Sequence, residues 1–177
     1  MGKITFILGG ARSGKSSYAI ELAKSIKGTV AFIATSEALD EEMKKRIDLH
    51  KKKRPLDWET FEEPKDILGL LKKMRHDFEI IIIDCLTLFI SNLLSEDLDE
   101  SAIEDRISEM LKLLGSSKLE SIIISNEVGL GIVPDNPLGR RFRDLAGKIN
   151  QMVAQEADVV FFMAAGLPLM IKGGSSE

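Results

Sequence analysis

The segment GGARSGKS, residues 9–16, carries the residue types of a phosphate-binding loop. Glycines at its first and sixth positions, Gly9 and Gly14, followed by Lys15 and Ser16, fit the pattern G-x-x-x-x-G-K-[ST]. In such a loop, backbone N–H groups surround phosphate oxygens, the lysine adds a positive charge, and the hydroxyl binds Mg²⁺. We therefore expect a nucleoside triphosphate here, with Lys15 as a catalytic group. The predicted binding residues are Gly9, Gly10, Ala11, Arg12, Ser13, Gly14, Lys15 and Ser16.

A carboxylate that fits the same chemistry is Asp84, which ends the apolar run IIIID. A carboxylate at a strand end can hold Mg²⁺ directly or through water, and it can also simply cap a helix. Together with the loop, the metal role is favoured, so Ser16 and Asp84 are the predicted Mg²⁺ ligands. These residues indicate a nucleotide with magnesium, but they do not separate a small-molecule kinase from an ATPase that drives conformational change.

One of the two histidines, His50, lies between the positive runs 44–46 and 51–54. A solvated helix face with an incidental histidine is the simplest interpretation of such a cluster. The predicted helix 39–52 has apolar residues every four positions, and His50 continues that stripe, so it should face inward. A neutral imidazole is also a good nucleophile toward phosphorus. The residues of the stripe are Leu39, Met43 and Ile47.

Buried aliphatic strands alternate with amphipathic helices along the chain. We predict strands at 4–10, 29–35, 78–85, 121–128 and 158–166, a short strand at 57–61 and an edge strand at 168–172. Helices are predicted at 16–28, 39–52, 64–77, 102–115 and 137–157. This alternation indicates an α/β fold, a P-loop NTPase-like three-layer sandwich with a mostly parallel central sheet. We expect one domain over residues 1–172 and a flexible tail at 173–177, with ligands bound beyond the carboxyl ends of the strands.

The composition narrows the class of partner. The chain has 177 residues and a net charge of −4, which argues against a general nucleic-acid surface. Its single cysteine, Cys85, excludes an internal disulfide and is compatible with a reducing cytoplasm. We see no signal peptide and no apolar run near the roughly 20 residues that cross a bilayer. We therefore expect a cytoplasmic protein without nucleic acid and without stable membrane insertion.

Four segments together resemble the bifunctional adenosylcobinamide kinase/adenosylcobinamide-phosphate guanylyltransferase family of cobalamin biosynthesis. They are LGGARSGKSSYAIELA, AFIATSEALDEEMKKRIDLHKKKRPLDWET, IIIDCLTLFISNLL and SNEVGLGIVPDNPLGRRFRDLAGKINQMVAQEADVV. The resemblance runs from residue 4 to about residue 172, and NEVGLGIVP followed by FRDLAGKINQ is its most specific part.

The resemblance implies two reactions. In the first, ATP or GTP phosphorylates the aminopropanol hydroxyl of adenosylcobinamide. In the second, GMP passes from GTP to that phosphate through a guanylylated histidine, which gives adenosylcobinamide-GDP and pyrophosphate. The residue in the histidine position is His50, and the cations around it would attract the triphosphate and neutralise charge on the leaving pyrophosphate. The family also implies a homotrimer.

The same resemblance implies further nucleotide-binding residues. Glu62 is expected to contact the guanosine, because a carboxylate can accept from guanine N1–H and N2–H, although a solvated loop acid remains the alternative. His76, near a predicted helix end, has no assigned chemistry. Arg140, Arg141 and Arg143 either meet phosphate or a neighbouring subunit, or form surface ion pairs such as that of Arg143 with Asp144. The other expected nucleotide contacts are Ala34, Thr35, Ser36, Lys51, Lys52, Lys53 and Arg54.

Two other functions fit the phosphate-binding loop. One is a P-loop kinase of another small molecule without a covalent histidine, which would retain no GMP label after denaturation. The other is a nucleotide-dependent switch or assembly factor, which would bind nucleotide without a phosphoryl acceptor and would expose a hydrophobic docking patch. No segment of the sequence identifies the corrinoid site or the preferred kinase donor.

Overall fold

A computed structural model describes residues 2–37, 41–52, 54–74 and 76–174, without the side chains of residues 42, 43, 46, 48 and 50. In this part of the chain, seven strands form one sheet in the order β3-β2-β4-β5-β1-β6-β7. All neighbouring strands are parallel except β6 and β7, which form an antiparallel pair at one edge. The strands are β1 Lys3–Gly9, β2 Val30–Ala34, β3 Glu59–Glu62, β4 Ile80–Asp84, β5 Glu120–Asn126, β6 Val159–Ala164 and β7 Leu167–Lys172.

Helices connect the parallel strands and cover the sheet. They are α1 Lys15–Ser25, α2 Glu41–Lys51, α3 Ile67–Met74, α4 Leu86–Ser95, α5 Glu100–Ser116 and α6 Pro137–Glu156. No helix in the described ranges is long and apolar enough to cross a membrane.

Two apolar clusters lie on opposite faces of the sheet, because successive strand side chains point to opposite sides. Phe6 packs in the cluster that includes residues of α3, α4, α5 and α6. Ile7, the next residue of β1, packs in the other cluster, where Ala19 and Ala23 of α1 cover the sheet. The prediction of a three-layer α/β fold with a mostly parallel sheet is confirmed.

Two predicted helix boundaries are wrong. Helix α1 ends at Ser25, where Ile26 N–H donates to Ala23 O at 3.1 Å, and does not continue to Gly28. Helix α3 begins at Ile67, not near Pro64, because Asp66 Oδ1 accepts a bond from Gly69 N at 3.0 Å, the pattern of an N-terminal cap.

Two other expectations also need correction. The sequence reading did not predict α4, although Leu86, Phe89 and Ile90 are almost fully buried within it. The spacing of Leu138, Leu145 and Ile149 in the sequence predicts one apolar stripe on the helix 137–157, but Leu138 is 63% exposed, whereas Leu145 and Ile149 are buried. Leu39 of the predicted α2 stripe and residues 175–177 of the predicted tail lie outside the described residues.

Candidate active site

The segment of residues 9–16 runs from the end of β1 through a loop at residues 10–14 into the start of α1, as predicted. Gly14 precedes the first helical residue with φ 97°, a left-handed conformation that favours glycine. A Cβ on Gly14 would lie 3.1 Å from Cα of Gly166, in the turn between β6 and β7. Gly166 N–H in turn donates to Ser13 O at 3.0 Å. The loop is therefore held against this turn, and both the positive φ and the close approach of Gly166 disfavour a larger residue at position 14.

The amino group of Lys15 lies at the start of the same loop. Nζ donates to Gly10 O at 2.6 Å and lies 3.5 Å from Ser13 Oγ, and the residue is only 7% exposed. Burial lowers the pKa of Lys15, while the Cys85 and Asp84 side chains act in the opposite direction. The lysine is thus positioned inside the loop, where it can meet the β- and γ-phosphates of a nucleotide.

Ser16 and Asp84, the two predicted metal ligands, are in direct contact. Ser16 Oγ donates to Asp84 Oδ2 at 2.7 Å, although the two residues are 68 positions apart in the chain. Asp84 ends β4, which is separated from β1 only by β5. A hydroxyl and one carboxylate fit Mg²⁺, which is usually bound by one or two carboxylates together with substrate phosphates. The residues present therefore suit the ion.

A cavity of about 810 Å³ opens beside the loop, at the carboxyl edge of the sheet. It is large enough for a nucleotide-sized ligand. Of the predicted residues, those that line it are Ala11, Arg12, Ser13, Gly14, Lys15, Ser16, Ser36, Arg54 and Asp84. The remaining lining residues are Ser17, Ile47, Leu49, Cys85, Leu88 and Asn126.

Arg54 brings the basic segment into this cavity. Its guanidinium carbon lies 3.9 Å from the centroid of the Phe32 ring. Burial lowers the pKa of Arg54, and the carboxylates of Asp84 and Glu62 oppose that shift. Nε and Nη1 are buried and have no hydrogen-bond partner within the described residues. Because buried donors are costly when unpaired, this group is suited to an anionic ligand.

Ala34 and Thr35 are buried beneath the cavity and do not line it. Thr35 Oγ1 accepts from Cys85 N at 2.8 Å and donates to Cys85 O at 2.7 Å. The Thr35 hydroxyl therefore fixes the backbone that follows β4. Of the three predicted residues Ala34, Thr35 and Ser36, only Ser36 lines the cavity. Gly9 and Gly10 form the start of the loop without lining the cavity.

Glu62, at the end of β3, forms an ion pair with Lys51. Their side chains are 57% and 42% exposed, respectively, and neither lines the cavity. Lys52 is also exposed, and Lys53 lies outside the described residues. The structure thus joins Glu62 to the basic segment, and their predicted contact with a nucleotide stays a prediction.

The backbone of His50 belongs to α2, as predicted, but its side chain lies outside the description. Its neighbours Ile47 and Leu49 line the cavity, with Ile47 half-buried and Leu49 59% exposed. Helix α2 therefore borders the cavity, while the catalytic role of His50 stays a prediction. His76 is exposed in a turn after α3.

The arginines near the start of α6 contact protein groups. Arg143 Nη2 lies 3.2 Å from Asp144 Oδ1, which is the ion pair considered in the sequence analysis. Arg141 pairs with Glu100 at 2.6 Å. Arg140 Nη1 donates to Pro134 O and Asp135 O at 3.0 and 2.8 Å, which fixes the loop before α6.

Sequence reasoning missed Asn126, a polar lining residue at the carboxyl end of β5. The signal that identified Asp84, a polar residue directly after a run of isoleucines, is also present in SIIISN. Cys85 and Leu88 carry no such signal, because an apolar residue beside a cavity looks like any core residue in the sequence.

Comparison with known proteins identifies the family of this chain. The profile of the family described as cobinamide kinase / cobinamide phosphate guanyltransferase matches residues 5–171. The bifunctional adenosylcobalamin biosynthesis protein CobP of Pseudomonas aeruginosa is 42% identical over 167 residues, 94% of this chain and 96% of the relative. The CobU proteins of Salmonella typhimurium and Escherichia coli are 38% and 35% identical, each over 94% of this chain and 98% of the relative. The chain belongs to the cobinamide kinase/cobinamide phosphate guanyltransferase family.

Proposed function

We propose that this protein is a bifunctional transferase of adenosylcobalamin biosynthesis. It phosphorylates adenosylcobinamide with ATP or GTP and then transfers GMP from GTP to adenosylcobinamide phosphate. The observation that carries the proposal is the convergence of Lys15, Ser16, Asp84 and Arg54 on one cavity in a chain of this family. A P-loop kinase of another small molecule, without a covalent histidine, is the alternative.

In the kinase reaction, the loop between β1 and α1 holds the triphosphate through its N–H groups, and Lys15 contacts the β- and γ-phosphates. Ser16 and Asp84 would hold Mg²⁺, which neutralises negative charge on the phosphates. The oxygen of the aminopropanol hydroxyl attacks the γ-phosphorus and the hydroxyl proton passes to water. The bond between the γ-phosphorus and the bridging oxygen breaks, and the nucleoside diphosphate leaves with that oxygen. The chain's task is to position the reactants and stabilise charge, which is the main source of catalysis in phosphoryl transfer.

In the guanylyl transfer, an imidazole nitrogen of His50 attacks the α-phosphorus of GTP and pyrophosphate leaves. A phosphate oxygen of adenosylcobinamide phosphate then attacks the same phosphorus, and the P–N bond to His50 breaks. Arg54 would stabilise the pyrophosphate charge, since two of its three guanidinium nitrogens are buried without a partner in the described residues. The placement of α2 beside the cavity supports this role for its histidine.

For the nucleoside, we propose that Glu62 accepts from guanine N1–H and N2–H after exchanging its ion pair with Lys51. Lys51, Lys52 and Lys53 then remain to attract phosphate charge. Ala34 and Thr35 would influence the nucleotide site indirectly. The Thr35 hydroxyl holds the backbone of Cys85, which lines the cavity.

We also propose that residues 1–172 form one domain that assembles as a homotrimer in the cytoplasm, as the family resemblance implies. All six residues of β7 are exposed, including four large apolar ones. An apolar edge strand favours coverage by another chain. The four are Leu167, Leu169, Met170 and Ile171. Light scattering of the purified protein tests the assembly.

The test of function supplies adenosylcobinamide and measures two products. ATP labelled at the γ-phosphate should transfer label to the corrinoid, and subsequent GTP should release pyrophosphate and give the GDP derivative. Lys15→Ala should lose both activities, whereas Lys24→Ala, an exposed lysine of the same helix, should keep both. A wild-type protein that phosphorylates no corrinoid would overturn the proposal in favour of another kinase substrate.

A further inference from the structure

Asn126 occupies the strand end between the two halves of the phosphate site. Strand β5 lies between β1, which leads into the phosphate-binding loop, and β4, which ends at Asp84. In the parallel register of β1 and β5, Asn126 is the partner of Gly9, the first residue of the loop. Asn126 is half-buried and lines the same cavity as Lys15 and Asp84. Its carboxamide is therefore among the groups that a bound nucleotide would meet.

A buried polar network fixes Asn126 at this point. Asn126 N–H donates to Thr87 Oγ1 at 2.6 Å, and Asn126 O accepts from Asn150 Nδ2 at 3.2 Å. Thr87 Oγ1 lies 3.0 Å from Ser125 Oγ. Thr87, Ser125 and Asn150 are at most 6% exposed, in surroundings that are otherwise apolar. Burying polar groups is unfavourable unless they are bonded, and this set joins α4, β5 and α6 at the backbone of one residue.

The position of Lys15 indicates which end of the bound triphosphate lies near Asn126. Nζ of Lys15 donates to Gly10 O, at the start of the loop, and the lysine of such a loop reaches the β- and γ-phosphates. Asn126 is paired with Gly9, the preceding residue, on the neighbouring strand. The side-chain amide is thus at the terminal-phosphate end. Within the described residues, Nδ2 of Asn126 makes a weak contact with Cys85 Sγ at 4.0 Å, which a phosphate oxygen can replace.

We propose that Asn126 is a further substrate-binding residue whose Nδ2 donates a hydrogen bond to the terminal phosphate of the bound triphosphate. The bond exists with a triphosphate and is lost with a diphosphate, so Asn126 favours the donor of the kinase reaction over its product. This assignment rests on the nucleotide site of the proposed function. A hydrogen bond to a charged group is worth enough to change affinity by roughly tenfold or more.

The test compares nucleotide binding by wild type and Asn126→Asp, a variant of the same shape that replaces the amide donor by a carboxylate. Calorimetry with Mg²⁺ measures the dissociation constants of the non-hydrolysable β,γ-imido analogue of ATP and of ADP. The affinity for the analogue should fall about tenfold or more, while the affinity for ADP should change less than about twofold. Asn136→Asp is the matched control, because Asn136 caps α6 outside the cavity lining and aspartate also caps helices.

Equal losses for the two nucleotides, or no loss for the analogue, would overturn the assignment. If Asn126→Asp does not fold, Asn126→Ala tests the same donor without adding charge and should show the same selective loss, at smaller size. Binding is measured without corrinoid, so the result stands apart from the test of the proposed function. If Asn126→Asp selectively loses affinity for the ATP analogue but the wild-type protein phosphorylates no corrinoid, the assignment of Asn126 stands and only the proposed function is refuted.

Discussion

The guanidinium of Arg54 stacks on the ring of Phe32, with 3.9 Å between the guanidinium carbon and the ring centroid. Phe32 is 1% exposed in β2, on the sheet face that α1 covers. A cation over an aromatic face is favourable by about 1 kcal/mol, and more when the pair is shielded from water. The stack therefore fixes a charged group of the basic segment to the rigid sheet. An arginine held this way loses little freedom when it binds phosphate.

The first prediction concerns the coupling of this pair. Arg54→Ala should weaken GTP binding, because it removes the two guanidinium donors that lack partners in the described residues. Phe32→Leu should also weaken GTP binding in the wild-type background, by about threefold to tenfold, since it removes the aromatic face. In the Arg54→Ala background, Phe32→Leu should have no further effect. Fluorescence titration with a GTP analogue measures all four proteins of this double-mutant cycle.

A control for packing is Phe6→Leu, the same substitution at a fully buried phenylalanine on the opposite face of the sheet. It should reduce the free energy of unfolding, as Phe32→Leu does, without changing GTP affinity. Additive effects of Phe32→Leu and Arg54→Ala on GTP binding would contradict the positioning role of the stack.

The second prediction concerns magnesium. Asp84→Asn keeps the shape of the side chain that accepts from Ser16 Oγ but removes the charge that favours Mg²⁺. Kinase activity should fall at low Mg²⁺ and recover in part as Mg²⁺ is raised, so that the midpoint of the titration moves upward. Asp144→Asn, which changes an exposed carboxylate on α6, should leave the midpoint unchanged. An unaltered Mg²⁺ titration of Asp84→Asn would assign the metal to other residues.

The third prediction concerns Cys85 and alkaline pH. Burial, with a smaller effect of Asp84, raises the pKa of the Cys85 thiol from 9.0 to about 11. Between these values the folded chain keeps a proton that the unfolded chain loses. The folded state therefore binds more protons, and the free energy of unfolding falls as the pH rises through this window. One group contributes a slope of at most about 1.4 kcal/mol per pH unit.

Cys85→Ser removes the titrating thiol with little change of shape. Urea unfolding from pH 8.5 to pH 10.5, with reductant present, should give a steeper fall for wild type than for Cys85→Ser. Below about pH 7.5 the two slopes should agree, because the thiol is almost fully protonated in both folded and unfolded wild type. Parallel curves over the whole range would show that the thiol titrates alike in both states.

The parts of the fold that were predictable are those with a local signal. The strand β4 lies within the predicted strand 78–85, and α3 lies within the predicted helix 64–77, with Ile67, Leu71 and Met74 buried. Helix α4 was missed although LTLFISNLLS has helical spacing: Leu86, Phe89, Ile90, Leu93 and Leu94 lie at i, i+3, i+4, i+7 and i+8 and are buried. Leu138 has the helical spacing of Leu145 and Ile149 in α6, but it is exposed in the first turn of the helix, and the spacing alone did not reveal this.

The residues of the candidate site likewise fall into those that a local sequence signal marks and those that only the tertiary structure brings together. The loop of residues 9–16 and Asp84 were predictable, since a motif and the end of an apolar strand mark them. The placement of β5 between β1 and β4 is a property of the sheet order, which no local pattern encodes. For that reason Asn126 and the stack of Arg54 on Phe32 emerge only from the structure: each depends on contacts between residues far apart in the chain.

The last prediction concerns the covalent step. Wild-type protein incubated with GTP labelled at the α-phosphate should retain the label after denaturation, and adenosylcobinamide phosphate should remove it. The adduct should be labile in acid and stable in alkali, as expected for a phosphoramidate and not for a serine ester. His50→Ala should form no adduct and should lose guanylyl transfer. It should keep much of the kinase activity, because γ-phosphoryl transfer depends on positioning and Mg²⁺ and needs no protein nucleophile. His76→Ala, which removes the other histidine of the chain at an exposed turn, is the matched control and should be labelled normally. A labelled His50→Ala protein would assign the nucleophile to another residue, and loss of the label in His76→Ala alone would assign it to His76.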